Sequence, residues 1–515
     1  MRERQGDGGP LGTGPTAGPR GDKVPLAAGL ALVLSCFAAH AAARDPSPPR
    51  LGKTIDAIVS RPDFSPALWG IEVRSLSTGR TLYARNAEKA FRPASSMKLV
   101  TTAAALDAYG KDARIRTTVE TAARLDGRGR IVGDVYLVGR GDPNLSARFT
   151  PGRPAAAFEE MADALVAAGV RRIEGRVIGH EGAFTGARRG SDWTWEDLAW
   201  GYGAEVSALS FADNRVEVTL TPGERVGEPA VLDVVPDTGC VTIVSSVTTG
   251  EAAPTTEPAP PDGRDDIALD REPGSNEARL TGRLPLGGSW EAGLAVVDPA
   301  RCAAAAFRRV IEAKGIRVTG GVATSREALP LGVRALAGHE SPSMAEMVRV
   351  VNKESQNLHA ETLLRLVGLK VKGEGSAGKG HEAVAEMAKR LGVPDAGWGL
   401  VDGSGLARTD LVTPRGLVAL LAAMDRHPAG AAFRDSLPVA GVDGTLEKRM
   451  RGTPAERRVT AKTGTLHLAN ALAGYVTTER GERLAFAIVV NNHAGKGREA
   501  VAAIDAIAVA LARAR

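Results

Sequence analysis

The chain has 515 residues, 43% hydrophobic and 24% charged, too long for one ordinary core and in the range of two or three domains. Its 65 basic residues exceed its 60 acidic ones by a margin spread along the chain, with no Lys/Arg block interleaved with aromatics, so nucleic acid is not the expected partner. Three cysteines exclude a disulfide-framed mini-domain and a zinc ribbon, and leave a soluble, multi-domain, mixed α/β protein as the broad class.

Arg2, Arg4, Arg20 and Lys23 precede the apolar run 24–39, and small residues follow as far as Ala43. A charged start, a short apolar centre and a small-residue exit predict a secretory signal over residues 1–43. The run is shorter than the roughly 20 apolar residues of a spanning helix. A retained anchor is the alternative, and Cys36 after Val33-Leu34-Ser35 makes a poor lipoprotein site. The expected location is therefore the periplasm or extracytoplasmic envelope, with at most loose membrane association. Cys240 and Cys302 then remain, expected as one bridge in an exported chain, with two buried free thiols as the alternative.

Residues 68–90 alternate apolar and polar around Ser77-Thr78-Gly79, the pattern of a β-hairpin. Residues 95–109 are apolar at helical spacing and stop at Gly110, predicting a capped, buried helix. From about 114 to 340 the character changes to short β-like runs with one helix near 154–168, and the Pro/Thr/Glu-rich stretch 251–266 reads as a surface loop. Helices are predicted again at 344–352, 358–367 and 381–391. Strands follow at 460–466 and, as an alternating pair, at 469–477 and 484–491, with a final helix at 500–512. The N-terminal hairpin and the C-terminal strands are predicted to share one sheet, with the middle of the chain inserted between them.

Ser95-Ser96-Met97-Lys98 opens the second of these elements. Residues i and i+3 share a helix face, so Lys98 reaches the Ser95 hydroxyl. A serine needs a neighbouring base to become a nucleophile, and a lysine serves when desolvation and nearby positive charge lower its pKa. The bland reading of Ser95 is a helix cap. A second Ser-x-x-Lys, Ser376-Ala377-Gly378-Lys379, is expected to lack helical presentation because of Gly378 and Gly380. Ser355-Gln356-Asn357 and Lys462-Thr463-Gly464 each occur once and follow Ser95 in chain order, the first in an inter-helix turn and the second on a strand.

This ordered trio resembles the active-site serine penicillin-recognising enzymes. The span between Lys98 and Ser355 is far longer than in class A β-lactamases. It is similar instead to the D-alanyl-D-alanine carboxypeptidase/endopeptidase family S13, the class C low-molecular-mass penicillin-binding proteins. Arg92-Pro93-Ala94-Ser95, Gly141-Asp142-Pro143, Val206-Ser207-Ala208-Leu209-Ser210, Asn352-Lys353, Val401-Asp402-Gly403-Ser404-Gly405-Leu406 and Gly444-Thr445-Leu446 extend the likeness over roughly residues 50–510. Gln356 departs from it, standing where Asp is common.

The resemblance implies an α+β fold: a transpeptidase/β-lactamase-like domain, with helices on both faces of a five-stranded antiparallel sheet, interrupted by two smaller, mostly β inserted domains. Its parts fall at 44–113 and 341–515 for the main domain, 114–145 and 215–340 for one insert, and 146–214 for the other. It implies a serine-type D-Ala-D-Ala carboxypeptidase, with D,D-endopeptidase activity, acting on peptidoglycan stem peptides and cross-links and acylated by β-lactams. No cofactor or metal is required. Ser95 would attack the carbonyl, Lys98 would be the acylation base and Ser355 would relay a proton to the leaving D-Ala amine. Asn357 would bind the substrate amide. Lys462, Thr463, Gly464 and Thr465 would bind the terminal carboxylate and line the cleft, with Ser95 and Thr465 N–H groups as the oxyanion hole. Asp197 and Tyr202 match the pair through which an insert meets the side-chain end of the stem peptide's diamino acid; the bland reading makes Asp197 a loop residue satisfying local N–H groups.

Rival readings are a serine β-lactamase-like hydrolase and a non-catalytic peptidoglycan-binding protein. The near P-loop 373–380 fails because Gly380 stands where Ser or Thr must hold Mg²⁺. The histidines form no His-Glu-x-x-His, and His339 and His381 are expected in solvent. Asp402-Gly403-Ser404-Gly405 lacks the first glycine of a lipase elbow. Trp193, Trp195 and Trp200 are expected to pack on the insert core rather than form a sugar platform.

Overall fold

The computed structural model describes residues 49–252 and 267–514. The expected signal at 1–43 and most of the 251–266 stretch lie outside them.

Five antiparallel strands form the main sheet in the order Val459–Leu466, Ala469–Thr477, Arg483–Asn491, Leu68–Ser75, Thr81–Arg85. The N-terminal hairpin and the C-terminal strands therefore share one sheet, as expected. Arg483–Asn491 is buried along nearly its whole length, which explains its almost continuous apolar run: helices cover both faces, so neither face needs polar residues. Its side chains still divide by face. Phe486, Ile488 and Val490 meet Ile55, Val59, Ile504, Ile507 and Leu511 from helices Pro49–Val59 and Gly497–Ala512. Ala485 and Ala487, with Ala473 of the neighbouring strand, face the helices Lys98–Tyr109 and Pro414–Arg426. The alanines let those helices lie close to the sheet.

Helices Met344–Lys353, Asn357–Lys372 and Ala377–Arg390 form where expected, each longer than its apolar pattern. Ser343 and Glu346 make a capping box for the first, and Gly373 (φ 77°) ends the second in the left-handed conformation. Pro414–Arg426 was not foreseen, although Thr413 Oγ1 accepts from Gly416 N and Pro414 takes the first turn.

The 114–340 segment holds two cores. The first gathers Val119, Val135, Leu137, Phe158, Leu165, Leu209 and Phe307 around a five-stranded sheet ordered Val322–Ser325, Val177–His180, Val135–Val138, Arg116–Thr121, Arg334–Glu340. The second gathers Val216, Val218, Leu280, Trp290 and Leu294. Among the described residues two α-helices lie here rather than the one expected: Ala156–Ala167 and Pro299–Ala313. The second starts at Asp298, whose carboxylate accepts from Arg301 N, and buries Cys302, Ala303, Ala306 and Phe307. Cys302 is bridged to Cys240, with Cα atoms 5.7 Å apart, so the bridge is formed and the free-thiol alternative is not. Among the described residues no helix is long and apolar enough to cross a membrane.

Candidate active site

Ser95 lies in the 3₁₀ turn Ala94–Met97, which runs into helix Lys98–Tyr109. It caps nothing: neither turn nor helix has a side-chain cap, so the helix-cap reading fails. Two glycines let neighbours approach this turn. A Cβ on Gly464 would stand 2.5 Å from the Pro93 carbonyl oxygen, and one on Gly405 (φ 78°) would overlap the Ala94 carbonyl oxygen. Strand Val459–Leu466 and the 402–406 loop thus reach the serine because they carry no side chain there.

Lys98 is fully buried. Its Nζ donates to Ser95 Oγ at 2.8 Å, Asn357 Oδ1 at 2.7 Å and the Ser404 carbonyl at 2.7 Å. Burial pushes its pKa down to about 7, against the opposing pull of Asp402, Glu361 and Asp410. The three partners have unequal chemistry. The Asn357 and Ser404 oxygens only accept, and Asn357 is oriented by its Nδ2 donating to the Tyr202 carbonyl at 2.8 Å. A neutral amine must spend its two protons on those oxygens, which turns its lone pair to the one partner able to donate, the Ser95 hydroxyl.

Ser355 sits between helices Met344–Lys353 and Asn357–Lys372 with φ 61°. Its Oγ accepts from Lys462 Nζ at 2.9 Å, and Lys462 also donates to the Thr463 carbonyl at 2.8 Å. Lys462 is fully buried, and burial, then the charge of Lys98, lowers its pKa well below the usual lysine value. Asn352 Nδ2 donates to Ser436 Oγ at 2.8 Å, and Lys353 pairs with Asp443 at 2.6 Å, fixing the helix that delivers Ser355. Thr463 Oγ1 lies 2.8 Å from Thr445 Oγ1, and Thr465 is exposed on the same strand. The three motifs, distant in sequence, thus meet at one place.

Beneath Lys98 the 402–407 loop is wound on a carboxylate. Asp402 accepts from Ser404 N at 3.0 Å, Gly405 N at 2.6 Å, Ala407 N at 2.7 Å and Trp193 Nε1 at 2.9 Å. Glu361 accepts from Gly403 N and Ser404 N at 2.8 and 2.9 Å. Burial and then the Asp402 charge push Asp410 up to about 10 and raise Glu361. Glu361, Asp410 and the Ser404 and Tyr202 carbonyls were missed from sequence, and Asp402 entered only as part of the 401–406 likeness.

Asp197 is 5% exposed. Its Oδ2 accepts from Thr194 N at 3.0 Å, Thr194 Oγ1 at 2.7 Å and Arg408 Nη1 at 2.8 Å. The local reading of Asp197 thus describes its contacts here, with an arginine added. Tyr202 is 45% exposed, and its hydroxyl donates to Asp197 Oδ1 at 3.4 Å.

Other expectations are corrected. Ser376 does start a helix, as its cap: its Oγ accepts from Lys379 N at 3.3 Å, while Lys379 Nζ turns to Glu382 at 2.8 Å. The two glycines did not prevent the helix, since the cap and the buried face of Val384 and Met387 hold it. His381 is half-buried, with Nε2 3.4 Å from the Asp402 carbonyl, and His339 Nδ1 meets Glu160 at 2.7 Å. Trp195 is 70% exposed rather than packed; Trp200 joins the second insert core, and Trp193 packs against the main one.

The D-Ala-D-Ala carboxypeptidase 3 (S13) family model matches residues 51–513. The chain is 38% identical over 499 residues to the D-alanyl-D-alanine carboxypeptidase of Actinomadura sp. (strain R39), covering 93% of this chain and 88% of that one. Among solved structures, penicillin binding protein 4 of Haemophilus influenzae superposes with a TM-score of 0.77 at 23% identity, over 89% of this chain and 98% of that one. The same protein in complex with a β-lactam gives 0.70 at 22% identity, with the same coverage. The fold is thus that of the penicillin-binding proteins, with a transpeptidase/β-lactamase-like sheet. With the model matched almost end to end and the ordered trio assembled around Ser95, the chain belongs to the D-Ala-D-Ala carboxypeptidase 3 (S13) family.

Proposed function

We propose that this chain is a serine-type D-alanyl-D-alanine carboxypeptidase, also cleaving D,D-cross-links, which is exported to the cell envelope, acts on peptidoglycan stem peptides and is acylated by β-lactams on Ser95. The observation that carries the reading is the Ser95–Lys98 contact at 2.8 Å, made by a fully buried lysine with a pKa of about 7.

In this mechanism neutral Lys98 takes the Ser95 proton as Oγ attacks the carbonyl carbon of the penultimate D-Ala. The developing oxyanion is held by the Ser95 and Thr465 N–H groups, a contribution of about 3–4 kcal/mol per donor. The C–N bond breaks as Ser355 passes its proton to the leaving amine and takes one in turn from Lys462, whose Nζ donates to its Oγ, while Lys98 holds the Ser95 proton until hydrolysis. Asn357 holds the substrate amide. The terminal carboxylate meets Lys462, Thr463, Gly464 and Thr465, and its arrival restores the Lys462 charge that burial suppresses. Water then hydrolyses the ester. In penicillin the broken amide is part of a ring, so the leaving amine stays tethered and the acyl-enzyme persists.

The test pairs two measurements on the purified chain: labelled penicillin and a diaminopimelate-containing pentapeptide. Stable label with release of D-Ala is the expected result. Rapid loss of label favours the β-lactamase-like reading, and no label with no release favours a binding protein. The two cores of the 114–340 segment support units of 114–213 with 297–340, and 214–296, in place of the 146–214 unit expected from sequence.

For the side-chain end of the stem peptide, the Asp197–Arg408 pair offers a carboxylate to an ammonium and a guanidinium to a carboxylate, the two groups diaminopimelate carries. Tyr202 covers the aliphatic stem. Asp197→Ala is expected to lower kcat/KM on that peptide by about fivefold, a partly desolvated ion pair's worth, while penicillin acylation stays within about twofold. Equal losses on both would make Asp197 a support of the 402–410 loop.

A further inference from the structure

Ser355 is a non-glycine residue at φ 61°, a conformation that persists only where its surroundings over-determine it. The side chains on either side of it are both held from the 114–340 segment. Glu354 accepts from Arg148 Nη1. Gln356 donates through Nε2 to Asp213 Oδ2 at 3.2 Å, while its Oε1 accepts from Leu358 N at 2.8 Å and caps the following helix. Arg148 and Asp213 are themselves joined, Nη2 to Oδ2 at 2.5 Å. One guanidinium fork therefore spans two carboxylates, and one of those carboxylates receives the Gln356 amide.

The clamp is built rather than casual. The Arg148 and Asp213 side chains are only 17% and 7% exposed. Asp213 stands in three consecutive left-handed residues, Ala212, Asp213 and Asn214, with φ of 48°, 55° and 52°. Asn214 secures them: its Oδ1 accepts from Phe211 N at 3.1 Å and its Nδ2 donates to the Glu205 carbonyl at 2.8 Å and to Ser210 Oγ at 3.1 Å. Two residues past Asn357, His359 Nε2 meets Asn144 Oδ1 at 3.0 Å, so the same face of the segment grips the helix start as well. Two strained loops hold each other, and one of them carries Ser355.

We propose that Arg148 and Asp213 are positioning residues that keep Ser355 in its left-handed conformation by holding Glu354 and Gln356, so that its hydroxyl stays on Lys462. The proposal rests on the reading of Ser355 as the proton relay. It also assigns a purpose to Gln356: an amide here donates to Asp213, whereas a carboxylate would face Asp213 and Glu354 as a third negative group around one arginine.

The test measures penicillin acylation, resolving the acylation rate from the preceding binding constant, together with thermal unfolding. Gln356→Glu is expected to slow acylation about tenfold with binding little changed, a coupling normal for contacting groups. Adding Asp213→Asn to Gln356→Glu restores two carboxylates around Arg148 and reverses the bond, the amide introduced at position 213 now donating to the carboxylate introduced at position 356. This double variant is expected within about threefold of wild type. Arg148→Lys, which keeps the charge and loses the fork, should match the Gln356→Glu loss. Wild-type acylation in Gln356→Glu, or a double variant no faster than the single one, overturns the clamp. Ser355→Ala measured alongside separates the two ideas: wild-type acylation there would sink the relay reading, and the clamp would still be judged on the single and double variants.

Discussion

Ser95→Ala should abolish both penicillin labelling and peptide hydrolysis, a loss of at least about 10⁴-fold on the scale of other serine nucleophiles. The unfolding temperature should stay near wild type, because among the described residues the hydroxyl bonds to Lys98 Nζ at 2.8 Å and the serine caps no helix. Intact-mass analysis decides it: a penicilloyl adduct on the alanine variant would mean that another residue is the nucleophile. Ser376→Ala is the matched control, since it alters the other Ser-x-x-Lys. There the serine caps helix Ala377–Arg390, so the change should cost about 1 kcal/mol of stability and leave acylation near wild type. Equal damage at both serines would refute the choice between them.

Lys98→Met should slow acylation by about 10³-fold or more, the upper range for a general base, while keeping the volume of the buried side chain. The pH profile separates loss of the base from loss of packing. Only neutral Lys98 can accept the Ser95 proton, and its pKa lies at about 7. Wild-type acylation should therefore level off above pH 7 and fall about tenfold per pH unit below it, as the base is progressively protonated. In Lys98→Met that acid limb should vanish from the residual rate. A limb that survives the substitution would belong to another group, Lys462 first among them, because its pKa is also depressed.

The site was legible where function demands particular residue types at short spacing. Ser95 and Lys98, Ser355 and Asn357, and Lys462 with Gly464 each fall within a few residues of one another. Their assembly then follows from a sheet whose central strand, expected to alternate, is instead buried on both faces. What supports them was not legible, for two reasons. The Ser404 and Tyr202 carbonyls act through the main chain, which leaves no mark in residue type. Asp213 and Gln356 lie 143 positions apart, and Lys98 and Ser404 lie 306 apart, so no local pattern joins them. Pro299–Ala313 escaped notice because half of its buried face is alanine, a weak apolar signal. Trp195 was misjudged because large apolar residues near a cleft need not face the core.

The pairing of Leu68–Ser75 with Arg483–Asn491 also sets a timetable for the ribosome. Arg92 N, three residues before the nucleophile, is held by Asn491 Oδ1, 399 positions later. At translation rates of about 5–20 residues per second, roughly 20–80 s pass between the emergence of these two partners. Throughout that interval the Arg92 edge of the serine turn lacks its sheet partner, although the 402–406 loop that packs on Ala94 is made before the interval closes. The nucleophile is thus made early, and the sheet edge that carries its turn is completed only with the last strand.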